Sequence, residues 1–512
     1  MSRRELVFVA LFAAALVALT SVPYALGYLL PFPGSRFDGN IAFHHDFNTY
    51  FAFMRQAAAG QWLFHNPFTP EPHGNVLFNL EWLVAGKLAA ALGRSLEAVF
   101  QLQRLAAAGG LSVALYWLCC FLFETVRMRR LVFVFLMLGG GFGWVIYVRA
   151  LGIDLPRVLF LDIYAGLHPF FWVLLQPHFL LAQALAVTGL CLFLHAERAG
   201  RLRHYAAAGL VYALVGAVRP FDLAHLAATT LLYSVATRDR ARLRVRLLVL
   251  AIPAPFGLYY FWLFWRHPVF RWWEIQNVLA PPSPVALALS LGISFLLLVV
   301  AAPGLRHFRE LPAPVLLVTC GALAALGLFY SYPLLEFTLQ FAPSISIPVG
   351  LVATARVEPF LRRRWALLVV APLLVVHSLT SWMILNSHLE AVREGHSRTD
   401  HHLVAAITWF QHHGRPREVV LATPGYGNRL PRYSHAAVFC GNAFTTVNMA
   451  EKARLVERFF APATSDDFRR DLLRQYRVRY VWIGSDERPL RSALLTEVFR
   501  NPAATIYEVV LP

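Results

Sequence analysis

The chain has 512 residues, of which 58% are hydrophobic and only 15% charged, with a formal net charge of +17 and a mean hydropathy of +0.53. Soluble globular proteins average roughly 25% charged residues, so this composition excludes a soluble enzyme and implies a polytopic membrane protein. A nucleic-acid partner is excluded as well. The arginines sit in short gaps between apolar runs, at Arg127/Arg129/Arg130, Arg198/Arg201/Arg203, Arg238/Arg240/Arg242/Arg244/Arg246, Arg306/Arg309 and Arg362/Arg363/Arg364. Every second gap is basic, which is the positive-inside pattern of cytoplasmic loops, favoured further by anionic lipid.

Residues 6–30 carry no charge and, at about 1.5 Å per residue, span the roughly 30 Å hydrocarbon core. Arg3 and Arg4 precede this run as a signal peptide's n-region would. The run is longer than an h-region and no A-x-A-like site follows, so it reads as an uncleaved anchor. Residues 31–95 form a long external loop. Further spans are expected near 96–123, 131–147, 170–195, 205–218, 223–235, 247–265, 286–302, 315–332, 345–360 and 365–385, making about eleven in all. The pair 205–218 and 223–235 turns tightly around Arg219-Pro220-Phe221-Asp222. An odd count places the N-terminus in the cytoplasm and the chain after Asn386 outside, in the plasma (inner) membrane of a cell envelope. The expected division is a transmembrane domain over 1–385 and a soluble extracytoplasmic domain over 386–512.

The tail changes character. Its pattern predicts helices over 405–413, 449–460 and 466–476, and strands over 418–424, 435–440, 480–484 and 505–511. Alternating strands and helices imply a small α/β domain with a partly parallel sheet. Gly425-Tyr426-Gly427-Asn428 follows a predicted strand but lacks the third glycine and the following helix of a phosphate-binding fingerprint. The five cysteines, Cys119, Cys120, Cys191, Cys320 and Cys440, show no zinc or disulfide spacing. Aromatic runs such as Tyr259–Trp265 and Trp272-Trp273 suit membrane interfaces, with sugar stacking the alternative for the external pair.

Polar residues concentrate in the first external loop. Residues 47–59 suit a helix ended by Gly60-Gln61-Trp62. Asp46, Tyr50 and Met54 then share a face by i, i+4 spacing. Residues 66–72 form a proline-stiffened link, and 78–92 a second apolar helix lying on the membrane surface. A carboxylate held there can act as base, deprotonating a hydroxyl or amine acceptor. The plainer role for Asp46 is an N-cap, which needs only a side-chain acceptor.

Asp46-Phe47-Asn48-Thr49-Tyr50, followed by Arg55, Gly60 and Trp62, resembles the first external loop of GT-C-type membrane glycosyltransferases, nearest to protein O-mannosyltransferases and aminoarabinose transferases. The proline link, the surface helix ending at Gly93 and Arg104 in the second span continue the likeness. It covers roughly residues 1–125 by motif. The tail, through Phe439-Cys440-Gly441-Asn442, Thr445-Thr446, Lys452 and 478–482, is similar to that of bacterial GT-C-like proteins. The resemblance implies a GT-C fold, a polyprenyl-phosphate-linked sugar donor, an extracytoplasmic glycan, lipid or protein acceptor, and Asp46 in the catalytic position. Two departures stand out. Phe47 replaces a second acidic residue, and Glu71-Pro72-His73 replaces Lys-Pro-Pro near the donor phosphate.

The candidate substrate-binding residues are His45, Tyr50, Arg55, Glu71, His73, Glu81, His178 and Arg219. Arg219, with Arg266 and Arg271, falls near external span ends where a guanidinium suits phosphate. An interfacial anchor is the competing role for each. Gln176-Pro177-His178 lies inside a span, where polar groups face a cavity or a partner helix. No cofactor is expected. The loop histidines carry no metal-ligand spacing, and a divalent ion held by His44, His45, Asp46, Glu71 and His73 is the minor alternative. The reading that competes with an enzyme is a non-catalytic membrane protein, either a lipid or glycan transporter or a degenerate GT-C-like binding protein. The paired broken helices and repeats of transporters are not evident in the sequence.

Overall fold

A computed structural model describes residues 1–147, 156–361 and 366–511. The basic cluster Arg362/Arg363/Arg364 lies outside them. Each of the expected spanning segments is helical over most of its described length. The first four helices are α1 (Arg3–Leu29), α2 (His44–Ala58), α3 (Leu80–Leu92) and α4 (Leu96–Leu122). Among the described residues, α1, α4, Pro177–Ala199 and Leu368–Arg393 are each long and apolar enough to cross a membrane alone. The number rises to seven when each of three bent pairs counts as one span, and Leu161–Leu175, Leu202–Val218 and Ala313–Phe329 are shorter apolar helices. The sharpest bend, 104°, separates Pro284–Leu291 from Ile293–Leu305. Gly292 sits at that break with φ +55, a conformation in which a side chain would be strained.

Two compact units are present. The first comprises Met1–Pro23, Gln101–Tyr260 and Leu279–Glu390, and the second Tyr24–Phe100, Phe261–Val278 and Ala391–Pro512. The second unit thus takes in the external loop together with the tail, whereas the sequence division ran at 385/386.

Several charges buried in the first unit are matched by polar partners. Glu5 accepts from Arg129 and from the Tyr116 hydroxyl, both at 3.0 Å. Glu197 pairs with Arg246 at 2.6 Å and accepts from the Tyr205 hydroxyl at 2.8 Å. Arg104 donates to the Val173 carbonyl at 3.0 Å and to Ser21 at 2.8 Å. Charges in an apolar interior persist only when matched in this way.

The second unit contains two sheets. In one, β1 (Ser35–Phe37) from the loop pairs antiparallel with β2 (Arg398–Asp400) from the tail. The other holds β3 (Val419–Leu421), β4 (Ala437–Val438), β5 (Val478–Gly484), β6 (Leu495–Arg500) and β7 (Ala504–Val509), in the order β4-β3-β5-β7-β6. The β4–β3 and β3–β5 pairs are parallel, and the β5–β7 and β7–β6 pairs antiparallel, as the alternating pattern predicted. Side chains alternate across it. Val420, Tyr480, Trp482 and Ile506 pack on one face with Phe410 and the loop residues Ala52 and Phe68. Leu421, Val481 and Ile483 face the other way, onto Phe459 and Leu473, from the helices Met449–Phe460 and Asp466–Gln475.

Two local expectations are corrected. Gly425-Tyr426-Gly427-Asn428 does lie in a helix, Pro424–Tyr433. Pro424 in its first turn has the φ a helix needs and no N–H to lose. The edge strand β6 was not anticipated, because its residues are largely exposed and show no apolar alternation.

Candidate functional site

The α2 helix begins at His44, and its N-cap is Phe43, in left-handed conformation (φ 52) without a side-chain cap hydrogen bond. Asp46 is therefore the third helical residue, and its carboxylate is not used as the cap. Among the described residues it has no hydrogen-bond or ion-pair partner. It is half-buried. Burial alone pushes its pKa up from 3.8 to about 6, against the pull of the helix N-terminus, which favours the anion. A carboxyl poised near neutrality and free of a counter-ion is suited to proton abstraction.

The residues flanking Asp46 are held by the tail. Asn48 donates to Asn428 Oδ1 at 2.8 Å and accepts from Arg432 Nη1 at 3.0 Å. Asn442 Nδ2 donates to Thr49 Oγ1 at 2.9 Å. The His45 ring is exposed, while its carbonyl accepts from Asn428 and Asn442 at 3.2 and 3.3 Å. Arg432 is 2% exposed. It pairs with Glu97 at 3.2 Å and lies 4.5 Å over the Phe51 ring. His44 joins Asn40 (2.8 Å) to Ser397 (3.2 Å). On the α3 side, Tyr50 stacks on Trp82 (5.4 Å between centroids), which stacks on Phe53 (4.9 Å). A Cβ on Gly86 of α3 would lie 2.2 Å from the Met54 carbonyl, so only glycine permits this approach of α2 and α3.

The other predicted residues divide by environment. Arg55 donates Nε and Nη2 to the Arg432 carbonyl at 2.9 and 2.7 Å. Glu71 pairs with the buried Lys452 at 2.6 Å, and Lys452 also donates to Thr69 at 3.0 Å. The tail thus supplies a lysine to this loop glutamate. His73 accepts the Asn66 N–H at 3.0 Å through Nε2, which leaves Nδ1–H to donate to the Glu71 carbonyl at 2.7 Å. Its ring stacks on His65 at 3.9 Å, and burial lowers its pKa. Glu81 is 4% exposed in the first turn of α3. Glu71 and His73, both half-buried, thus take part in the loop's own hydrogen-bond framework.

Arg219 and His178 belong to the first unit. Arg219 is 5% exposed. It pairs with Asp222 at 2.7 Å, donates to Gln340 Oε1 at 2.7 Å, and lies 4.5 Å over the Phe179 ring. Asp222, fully buried, accepts further from Gln183 (2.8 Å) and Ser344 (2.9 Å). The expectation of a phosphate-facing guanidinium therefore meets a buried ion pair instead. The His178 ring lies 4.2 Å from Phe179. Arg266 and Arg271 are both exposed.

Two residues escaped sequence reasoning. Arg432 lies in an amphipathic helix among other arginines and gives no sequence signal. Asp162, 2% exposed, accepts the N–H groups of Gly141 (2.9 Å) and Gly143 (3.1 Å). A lone acid inside an apolar stretch was a readable signal for it. Among the described residues, no group of three or more His, Cys, Asp or Glu side chains is placed to hold a metal ion.

No family model and no curated protein matches the sequence. The fold is that of the GT-C-type membrane glycosyltransferases. Arabinofuranosyltransferase AftD from Mycobacteria superposes with a TM-score of 0.59 at 16% identity, over 100% of this chain and 42% of that one. This chain thus spans about two fifths of that protein's length. The oligosaccharyltransferase AglB from Archaeoglobus fulgidus, solved with an inhibitory peptide and a dolichol-phosphate, gives 0.55 at 11% identity, over 93% of this chain and 69% of that one. Another structure of the Archaeoglobus fulgidus enzyme, with zinc and sulfate, gives 0.52 at 14% identity, over 92% and 68%.

Proposed function

We propose that this chain is a membrane glycosyltransferase that moves a sugar from a polyprenyl-phosphate carrier to an extracytoplasmic glycan, lipid or protein acceptor, with Asp46 as the base. The observation that carries this reading is the Asp46 carboxylate. It is half-buried, raised to about 6, and has no partner among the described residues. Asp46 takes the proton of the acceptor hydroxyl or amine. The freed lone pair attacks the anomeric carbon, and the carrier phosphate leaves with the electrons of the broken C–O bond. The likeness in fold to an oligosaccharyltransferase solved with a dolichol-phosphate supports a lipid-linked donor. In this reading residues 1–385 are the membrane domain, the N-terminus is cytoplasmic, and residues 386–512 are extracytoplasmic. His45, adjacent to Asp46, and Tyr50, about one turn further along α2, are the first candidates for acceptor contact.

A second reading, a GT-C-like protein that binds without transferring, draws on the commitment of Arg219 to Asp222 and Gln340. One experiment separates the two. Asp46→Asn keeps size and removes the base, and no cap is lost because Asp46 makes none. Transfer from lipid-linked sugars in the same membranes should fall about 10²-fold or more while folded yield holds. Normal transfer by Asp46→Asn would remove Asp46 from the role of base, and absence of transfer by the unaltered chain would favour the binding protein.

A further inference from the structure

The second unit contains a cavity of about 230 Å³ where α2 and the link after it meet the tail. It is lined by Arg55, Gln61, His65, Arg417, Ser434 and His435, together with alanine and proline walls. No aspartate or glutamate lines it among the described residues. It is distinct from the surroundings of Asp46. Arg55 follows Asp46 by nine positions, and at about 100° per residue the two point to opposite faces of α2.

The charges lining this cavity are not balanced locally. Arg55 donates Nε and Nη2 to a backbone carbonyl and pairs with no acid among the described residues. Burial is the largest influence on it and lowers its pKa, with Glu97 acting in the opposite sense and Arg432 in the same sense as burial. Arg417, exposed, donates to Asn75, a neutral partner. His435, also exposed, is lowered by burial and by Arg55. His65 is 8% exposed, and its Nδ1 is buried without a hydrogen bond. Cations gathered in a cavity without a local acid attract an anion, and an unpaired buried polar atom normally finds a partner. Guanidinium groups match tetrahedral oxyanions through paired N–H donors.

We infer that this cavity binds a small oxyanion of the phosphate class, held by Arg55 and Arg417 with His435 at its rim. The anion is either free phosphate or a phosphate group carried on a sugar, for which the apolar walls leave room. The site stands apart from the transfer reaction proposed for Asp46 and does not depend on it.

The test uses the purified full-length chain in detergent. Inorganic phosphate should bind saturably and raise the thermal midpoint, sulfate should compete, and chloride at equal ionic strength should do neither. Arg417→Glu places a carboxylate at the exposed rim and should weaken phosphate binding at least about tenfold, the size of one lost charge-assisted hydrogen bond. Arg55→Met should do the same. If that variant folds poorly, Arg417→Glu still decides, because its side chain is exposed. A hexose 6-phosphate that binds more tightly than phosphate assigns the site to a sugar-borne group, and one that binds no more tightly assigns it to the free ion. Absence of saturable binding, or binding unchanged in both variants, would overturn the inference.

Discussion

Asp222 and Asp46 occupy the same local position, the first turn of a helix, in different units of the chain. Asp222 is fully buried and meets Arg219, Gln183 and Ser344. Asp46 is half-buried and meets no partner among the described residues. Local structure is therefore silent about role. A carboxylate whose lone pairs are all engaged by fixed donors holds elements together. A carboxylate desolvated without a counter-ion is left able to take a proton.

The contrast is broken most severely by removing one side of the buried pair. Arg219→Met leaves Asp222 charged and uncompensated in the first unit, at a cost of about 3–5 kcal/mol. It should appear as loss of folded protein or a large fall in thermal midpoint. Arg219→Lys, which keeps the charge but not the fork, should lose less. Asp46→Asn should not lower the midpoint, whatever it does to transfer. A stable Arg219→Met protein would show that the pair is not structural and would reopen Arg219 as a phosphate ligand.

Next in size is Lys452→Met. It leaves Glu71 and Thr69 without their buried donor and should cost roughly 1–3 kcal/mol. If Glu71 instead contacts substrate, transfer will suffer more than stability, and the ratio of the two losses measures which role dominates. Asn428→Ala should cost about 1–2 kcal/mol. Because Asn428 fixes Asn48 and the His45 carbonyl beside Asp46, it should also lower transfer in the folded fraction.

The smallest effects are those of pH. With Asp46 at about 6, transfer should rise as pH is raised through 6, because only the ionised form accepts a proton. Stability runs in the opposite direction. The native state holds this proton more tightly than the unfolded chain, whose carboxyl titrates near 3.8, so this group's contribution declines between about pH 4 and pH 6. Asp46→Asn should remove that slope. A transfer profile flat across pH 5–7 in wild type would remove Asp46 from the role of base.

The periodicity and length of the apolar runs determined the membrane class and the helical segments, because apolar residues leave water wherever they lie in the chain. Local patterning likewise determined much of the tail. Met449–Phe460 is found where it was expected, and β5 and β7 lie within a residue or two of expectation. Pairing of distant polar groups was decided only by the tertiary structure. The sequence could mark Asp46, but the absence of a cap at Phe43 and the desolvation of the carboxyl depend on how α2 packs. Asn428, Arg432, Asn442 and Lys452 lie hundreds of residues from the loop they hold. A hydrogen bond depends on a few tenths of an ångström between groups that chain order does not relate. For the same reason Arg219, which resembled a phosphate ligand in sequence, became the partner of Asp222 once the turn between its two helices closed.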